Sequence, residues 1–247
     1  MKDNFFCKKT FSNLYEQPSY DSKVASQIIY GEKFKILSKN KEWVKIKNEF
    51  DNYVGYIKYE KFRDKHNPTH KICNLKANIF QKRKKTKNFL PFGAKISIIN
   101  QNKKFVEFEK NKWIKKKDLR KLNYKEKDFV KIFKKFLNVK YVWGGKTFQG
   151  IDCSALLQIF FYYNSSFYPR DTKDQIKYTK KNSKKRLFKK GDIIFWKGHV
   201  AMCLNSKQLI HAYGPERKVI IMPIIETINR IEKTAKLKVK KVSRIKY

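Results

Sequence analysis

The sequence predicts an α+β protein: two small β-barrels in tandem, then a domain with helices first and an antiparallel sheet afterwards. Three observations predict it. Short β-rich runs separated by turn signals fill the first half. Near residue 122 the apolar spacing changes to the helical period. After Gly191 the chain returns to strands.

Taken in order, Val24 to Ile29, Lys33 to Leu37, Trp43 to Ile46 and Val54 to Ile57 read as strands. Tyr30-Gly31-Glu32 and Lys39-Asn40-Lys41 read as turns between them. The pattern recurs weakly after His66-Asn67-Pro68-Thr69-His70, in Ala77 to Phe80, Ile96-Ser97-Ile98-Ile99, Phe105 to Phe108 and Trp113-Ile114. Tyr30-Gly31-Glu32-Lys33 and Phe92-Gly93-Ala94-Lys95 hold equivalent places, which makes two barrels the economical reading, residues 1–66 and 67–121. Residues 122–247 form the third unit. Phe129, Val130, Ile132, Phe133, Phe136 and Leu137 fall on one helical face, and Ala155 to Tyr163 is a buried helix. A third helix begins after Pro169-Arg170-Asp171 and runs from Thr172 to Lys180. Asp192 to Trp196, His199 to Leu204, Gln208 to Tyr213 and Val219 to Met222 are strands, with a tight hairpin at Asn205-Ser206-Lys207.

The formal net charge is +39, from 52 lysines and eight arginines against 21 acidic residues. A polyanion partner is one reading. Arginine, the preferred reader of phosphates and bases, is scarce, however, and the lysines are spread along the whole chain. No dedicated nucleic-acid site is therefore expected, and a basic surface would attract an acidic small substrate without one. The four cysteines, Cys7, Cys73, Cys153 and Cys203, lie far apart, which argues against a disulfide scaffold or zinc ribbon and for a reducing compartment. Met1 to Lys9 has no apolar core of a leader, and no apolar run reaches the about 18 residues of a membrane span, so a cytoplasmic location is expected. No cofactor or metal is implied.

The chemistry concentrates in Tyr141-Val142-Trp143-Gly144-Gly145 and Gly150-Ile151-Asp152-Cys153-Ser154. Cys153 falls at the first turn of a buried helix, where free N–H groups and the helix dipole favour a thiolate. A pKa lowered to roughly 3.5–7.5 is the expectation. A thiolate needs a partner that takes and returns a proton, and two histidines follow, His199 and His211, roughly opposite each other on neighbouring strands. The sequence therefore proposes a cysteine–histidine hydrolase.

These segments resemble, in family order, the NlpC-type cysteine peptidases, cell-wall peptide hydrolases with a papain-like core. Pro169-Arg170-Asp171-Thr172, Gly191-Asp192-Ile193-Ile194-Phe195-Trp196, Gly198-His199-Val200 and His211-Ala212 extend the match over most of residues 125–225. The first half resembles the paired bacterial SH3-like barrels that precede this domain in a cytoplasmic subgroup. The resemblance implies hydrolysis of the γ-D-glutamyl to diamino-acid bond of murein peptides, in a recycling role that prefers a free N-terminal L-alanine. It implies Cys153 as nucleophile, His199 as general base and His211 as the residue that orients the imidazole. It places the substrate-amine ligands on Asp152, Ser154 and Tyr53. Thr172 stands where serine is frequent, and Ala155 where glycine is usual.

Each residue also has a plainer reading. Asp152 caps the Cys153 helix, a role compatible with amine binding if its two oxygens divide the tasks. Trp143 is wall and core rather than chemistry, and the Tyr141 hydroxyl could join an oxyanion hole. Cys203 is a buried strand residue. His66 and His70 are four apart like a zinc pair on a helix, but Pro68 between them disfavours the helix, and a solvated linker is expected there. Two other functions keep the sequence pattern: a Cys/His amidase or acyltransferase, and a basic binding module without catalysis.

Overall fold

The computed structural model describes residues 4–82, 84–180 and 187–244. Met1–Asp3, the start of the segment read for a leader, lie outside the described residues. The chain divides into two compact units, one of residues 1–125 with 146–148, the other of residues 126–145 with 149–247.

In the first unit, strands β1 (Phe5–Phe6), β2 (Phe11–Tyr15), β3 (Val24–Ile29), β4 (Lys33–Asn40), β5 (Trp43–Asn48) and β6 (Val54–Lys58) form one sheet in the order β1-β4-β5-β6-β2-β3. Alternation drives it: Val44 and Ile46 of β5 point inward with Leu14, Ile28, Phe34 and Ile57. The rest of the unit is β7 (His70–Ile72), β8 (Lys76–Gln81), β9 (Lys84–Pro91), β10 (Lys95–Ile96), β11 (Asn100–Gln101), β12 (Phe105–Glu109), β13 (Lys112–Lys115) and β14 (Leu119–Lys121). These make a five-stranded sheet, β11-β12-β13-β8-β9, and a three-stranded one, β10-β7-β14, over a shared core that includes Ile72, Ala77, Ile96, Val106 and Ile114. β15 (Lys146–Thr147) belongs to this unit. There the buried Lys146 ammonium meets Glu32 at 2.7 Å and its N–H donates to Gln27 at 2.8 Å.

The second unit holds α1 (Phe129–Lys135), β16 (Gly150–Ile151), α2 (Cys153–Tyr163), α3 (Thr172–Tyr178), β17 (Asp192–Trp196), β18 (His199–Cys203), β19 (Gln208–Tyr213), β20 (Lys218–Pro223), α4 (Ile224–Ala235) and β21 (Lys241–Arg244). Strands β17 to β21 form one antiparallel sheet, β20-β19-β18-β17-β21. Every residue of α2 is buried, and the helix packs on β18 and β19. Helices first and an antiparallel sheet afterwards is the α+β arrangement expected of this unit.

Several elements differ from the sequence reading. The run Ile96–Ile99 is not one strand: pairing stops at Ile96 and resumes at Asn100. β2, β9, α4 and β21 have no counterpart in that reading. β9 is lysine-rich and mostly exposed, so it carries no period-2 apolar signal. The linker expected around His66 is exposed at Asp64, Lys65, Asn67 and Thr69, but His66 itself is not solvated. His66 is buried, with Nε2 2.9 Å from the Lys95 carbonyl and Nδ1 3.3 Å from Arg63 Nη1.

Candidate active site

Local sequence builds the turn that presents Cys153. A Cβ on Gly145 would stand 2.6 Å from the Gly150 carbonyl oxygen, so only glycine lets the two backbones approach. Asp152 is the N-cap of α2, and its Oδ1 accepts from the Ala155 N–H at 2.7 Å. Cys153 is therefore the first residue of the helix.

Asp152 does more than cap. Oδ1 also accepts from Ser154 Oγ at 3.0 Å and from Arg170 Nη1 at 3.0 Å. Oδ2 accepts from the Gly144 N–H at 3.0 Å and from Arg170 Nη2 at 2.7 Å. Arg170 Nη1 donates to Ser154 Oγ as well, at 2.8 Å. Arg170 and Asp152 thus form a bidentate pair away from solvent, their side chains 1% and 9% exposed. Sequence reasoning quoted Arg170 within a motif and gave it no role. Its signal was an arginine beside a proline, directly after the aromatic run Phe167-Tyr168.

The histidines come from the sheet. Gly198, with φ +75°, permits the two-residue turn between β17 and β18 that sets Trp196 opposite His199. β18 and β19 pair Met202 with Ile210 and Cys203 with Leu209. Continuing that register puts His199 two positions diagonal to His211 on one face, rather than directly opposite. His199 Nε2 lies 2.9 Å from His211 Nδ1. His211 stacks on Tyr213 with ring centroids 4.6 Å apart, and its Nε2 lies 3.3 Å from Met222 Sδ.

Cys153 Sγ lies against the backbone on either side of His199. It is 4.0 Å from the Gly198 carbonyl oxygen and interacts with the Val200 N–H and the Thr172 side chain. Among the described residues it makes no hydrogen bond to either imidazole. Cys153 and His211 line one small cavity with Val200 and Ala201. Thr172 opens α3 and is buried. Tyr141 is partly exposed, and the charges of Cys153 and Asp152 act on its hydroxyl, which burial first pushes above the usual tyrosine range. Trp143 is not core: it is 63% exposed. Tyr53 belongs to the first unit, where its N–H donates to Asp51 Oδ1 at 3.1 Å.

The thiol is not the acid that its helix position suggests. Burial, then the Asp152 charge, pushes the Cys153 thiol up to about 12, against the Val200 N–H, the Thr172 side chain and Arg170. Burial holds His199 down at about 4. His211 lies at about 2, through burial, His199 and Arg230. The free site therefore holds a neutral thiol and two neutral imidazoles, not a thiolate–imidazolium pair. Desolvation outweighs the helix dipole because Cys153 is 6% exposed.

A cysteine at a helix N-terminus, with a histidine pair on the adjoining sheet, defines a papain-like cysteine-hydrolase domain. Residues 138–235 match the NlpC/P60 family, and residues 14–61 match the bacterial dipeptidyl-peptidase SH3 domain. The chain thus carries an NlpC/P60 domain with a bacterial SH3 domain ahead of it. It is 25% identical to a γ-D-glutamyl-L-lysine dipeptidyl-peptidase of Bacillus cereus over 82% of this chain and 71% of the relative. A Bacillus subtilis protein of the same name is 23% identical over 84% of this chain and 78% of the relative. The fold is that of an NlpC/P60 family protein from Bacillus cereus, with a TM-score of 0.80 at 19% identity, covering 98% of this chain and 99% of that one.

Proposed function

We propose that this protein is a cysteine peptidase that hydrolyses the γ-D-glutamyl to diamino-acid bond of murein peptides with a free N-terminal L-alanine. Its role would be recycling of cell-wall peptides in the cytoplasm. The observation that carries the reading is the 2.9 Å His199–His211 contact on the strand whose backbone touches Cys153 Sγ. The relatives named as dipeptidyl-peptidases span most of the chain and support the substrate class.

The chemistry follows from the neutral site. Sγ attacks the γ-carbonyl carbon as His199 accepts the thiol proton, so ionisation and bond formation proceed together. The carbonyl oxygen takes the negative charge, and the Cys153 N–H and the Tyr141 hydroxyl are the donors assigned to it. Collapse expels the diamino acid's amine, which takes the proton from His199 and leaves a thioester on Cys153. Water then attacks the thioester, again giving a proton to His199, which returns it to the departing thiolate.

Asp152, Ser154 and Tyr53 are proposed for the substrate amine, and Thr172 and Trp143 for the peptide beside the nucleophile. Both Asp152 oxygens already accept hydrogen bonds from Arg170, so an ammonium at this site would share a carboxylate that is already paired. The test compares L-Ala-γ-D-Glu-L-Lys with its N-acetylated form, followed by mass spectrometry of the products. A charge-assisted hydrogen bond contributes about 1.5–3 kcal/mol, so acetylation should cut kcat/KM by at least about tenfold. Release of the diamino acid identifies the bond. Equal cleavage of both peptides, or of intact cross-linked murein, would overturn the free-amine and recycling readings.

A further inference from the structure

Met222 lies outside the NlpC-type motifs, yet its sulfur is 3.3 Å from His211 Nε2. A thioether has no proton to give and accepts weakly. We propose that Met222 is a positioning residue that sets the tautomers of both active-site histidines and so leaves His199 Nδ1 bare as the proton acceptor. The inference rests on the reading of His199 as general base.

The assignment follows atom by atom. A hydrogen bond to Met222 Sδ requires the proton on His211 Nε2. A neutral His211 then has a bare Nδ1. That atom lies 2.9 Å from His199 Nε2, so the shared proton belongs to His199 Nε2. A neutral His199 then has a bare Nδ1, and no hydrogen bond to that atom is present among the described residues. Which ring nitrogen carries the proton is set by the partner of the other one. In the opposite arrangement His211 carries its proton on Nδ1 and gives it to His199 Nε2. His199 then carries a proton on Nδ1 and cannot accept one from a thiol.

The neutral state that the argument needs is enforced from several elements. His211 sits on β19, stacked on Tyr213, with His199 reaching it from β18 and Met222 from β20. Arg230 of α4 lies over the Tyr213 ring at 5.6 Å, paired with Glu216 at 2.7 Å, and its charge opposes protonation of His211. No carboxylate is among the groups that act on His211. A neutral acceptor is thus what the Nε2–H meets, and it cannot draw a second proton onto the ring.

Two measurements test this. Two-bond 1H–15N correlation spectra of 15N-histidine-labelled protein near pH 7 report each ring's tautomer directly, whatever the substrate is. Both His199 and His211 should carry the proton on Nε2. Met222→Leu keeps the shape and removes the acceptor. It should move both rings toward the Nδ1–H form and lower kcat about tenfold, equivalent to about 1.4 kcal/mol, with KM little changed. Met222→Gln, whose amide oxygen accepts, should restore the tautomers and most of kcat. An Nδ1–H His211 in the parent protein defeats the proposal, as does a Leu variant with parental spectra. The expected spectra in a protein that cleaves no murein peptide would instead defeat the functional reading alone. If the Leu variant does not fold, the parent spectra and the Gln variant still decide.

Discussion

Replacing Arg170 by Met should cost stability more than any surface change in the protein. Arg170 reaches both oxygens of Asp152, at 3.0 and 2.7 Å, and Ser154 Oγ at 2.8 Å, with almost no access to water. Removing one member of a buried pair leaves the other charge uncompensated, which costs about 3–5 kcal/mol. An exposed pair would cost about 0–1 kcal/mol, so the two cases are well separated. Asp152→Asn supplies the control, because an Asn side chain still accepts from the Ala155 N–H and caps α2. In that background the Arg170→Met step should cost only about 1–2 kcal/mol, the loss of neutral hydrogen bonds. Urea unfolding at pH 7, read by far-UV circular dichroism with the four proteins in one cycle, measures both steps. The uncompensated Asp152 charge also raises the Cys153 thiol, so the Arg170→Met variant should react more slowly with iodoacetamide at Cys153. A loss below about 1 kcal/mol, or an equal loss in both backgrounds, would refute the claim that charge burial is what Arg170 relieves.

The neutral thiol gives a second expectation. The alkylation rate of Cys153, followed by peptide mass spectrometry, should rise steadily from pH 6 to 9, since ionisation lies near 12. A plateau reached below pH 7 would establish a preformed thiolate instead. Cys153→Ala should abolish hydrolysis and leave the circular dichroism unchanged, and retained turnover would remove Cys153 from the mechanism. The histidines make stability acid-sensitive. Their folded values, about 4 for His199 and about 2 for His211, lie below the unfolded value of 6.5. Their contribution is complete above that value. As pH falls from 6.5 toward 4 the unfolded chain binds protons that the folded one does not, and each histidine removes about 1.4 kcal/mol per pH unit. His211→Gln should flatten the slope by one histidine's share in urea unfolding at several pH values, and an unchanged slope would contradict the burial argument.

What was legible in the sequence was local. β3, β17 and β19 run between the residues that alternation and turn signals give, because each signal sits inside the element it defines. The Asp152 cap and the start of α2 at Cys153 are likewise written in adjacent residues. Spacing also placed α4 within reach, with Ile224, Ile228 and Ile231 on one face, yet the sequence reading ends at the strand Val219 to Met222 and assigns no helix after it. What was not legible is contact between distant residues. Arg170 reaches Asp152 across 18 positions, and Met222 reaches His211 from a neighbouring strand only once the register is fixed.

The thiol shows the same division within one atom. Its position at a helix N-terminus follows from sequence, and so does the sign of the dipole's effect. Its burial does not, since that comes from the whole packing of α2 on β18 and β19. Burial, which comes from the tertiary packing, therefore prevails over the local dipole. The dipole and the Val200 N–H favour the anion, while desolvation and the Asp152 charge disfavour it more. The reaction does not suffer for it. A thiol that ionises only as it bonds to carbon keeps its proton until a substrate carbonyl arrives. In the proposed mechanism the cost of the charge is then met by the assigned oxyanion donors and by His199 together, at the one moment when all three are in use. A thiolate held ready would need a permanent cation beside it, and both imidazoles here are kept neutral by their own burial.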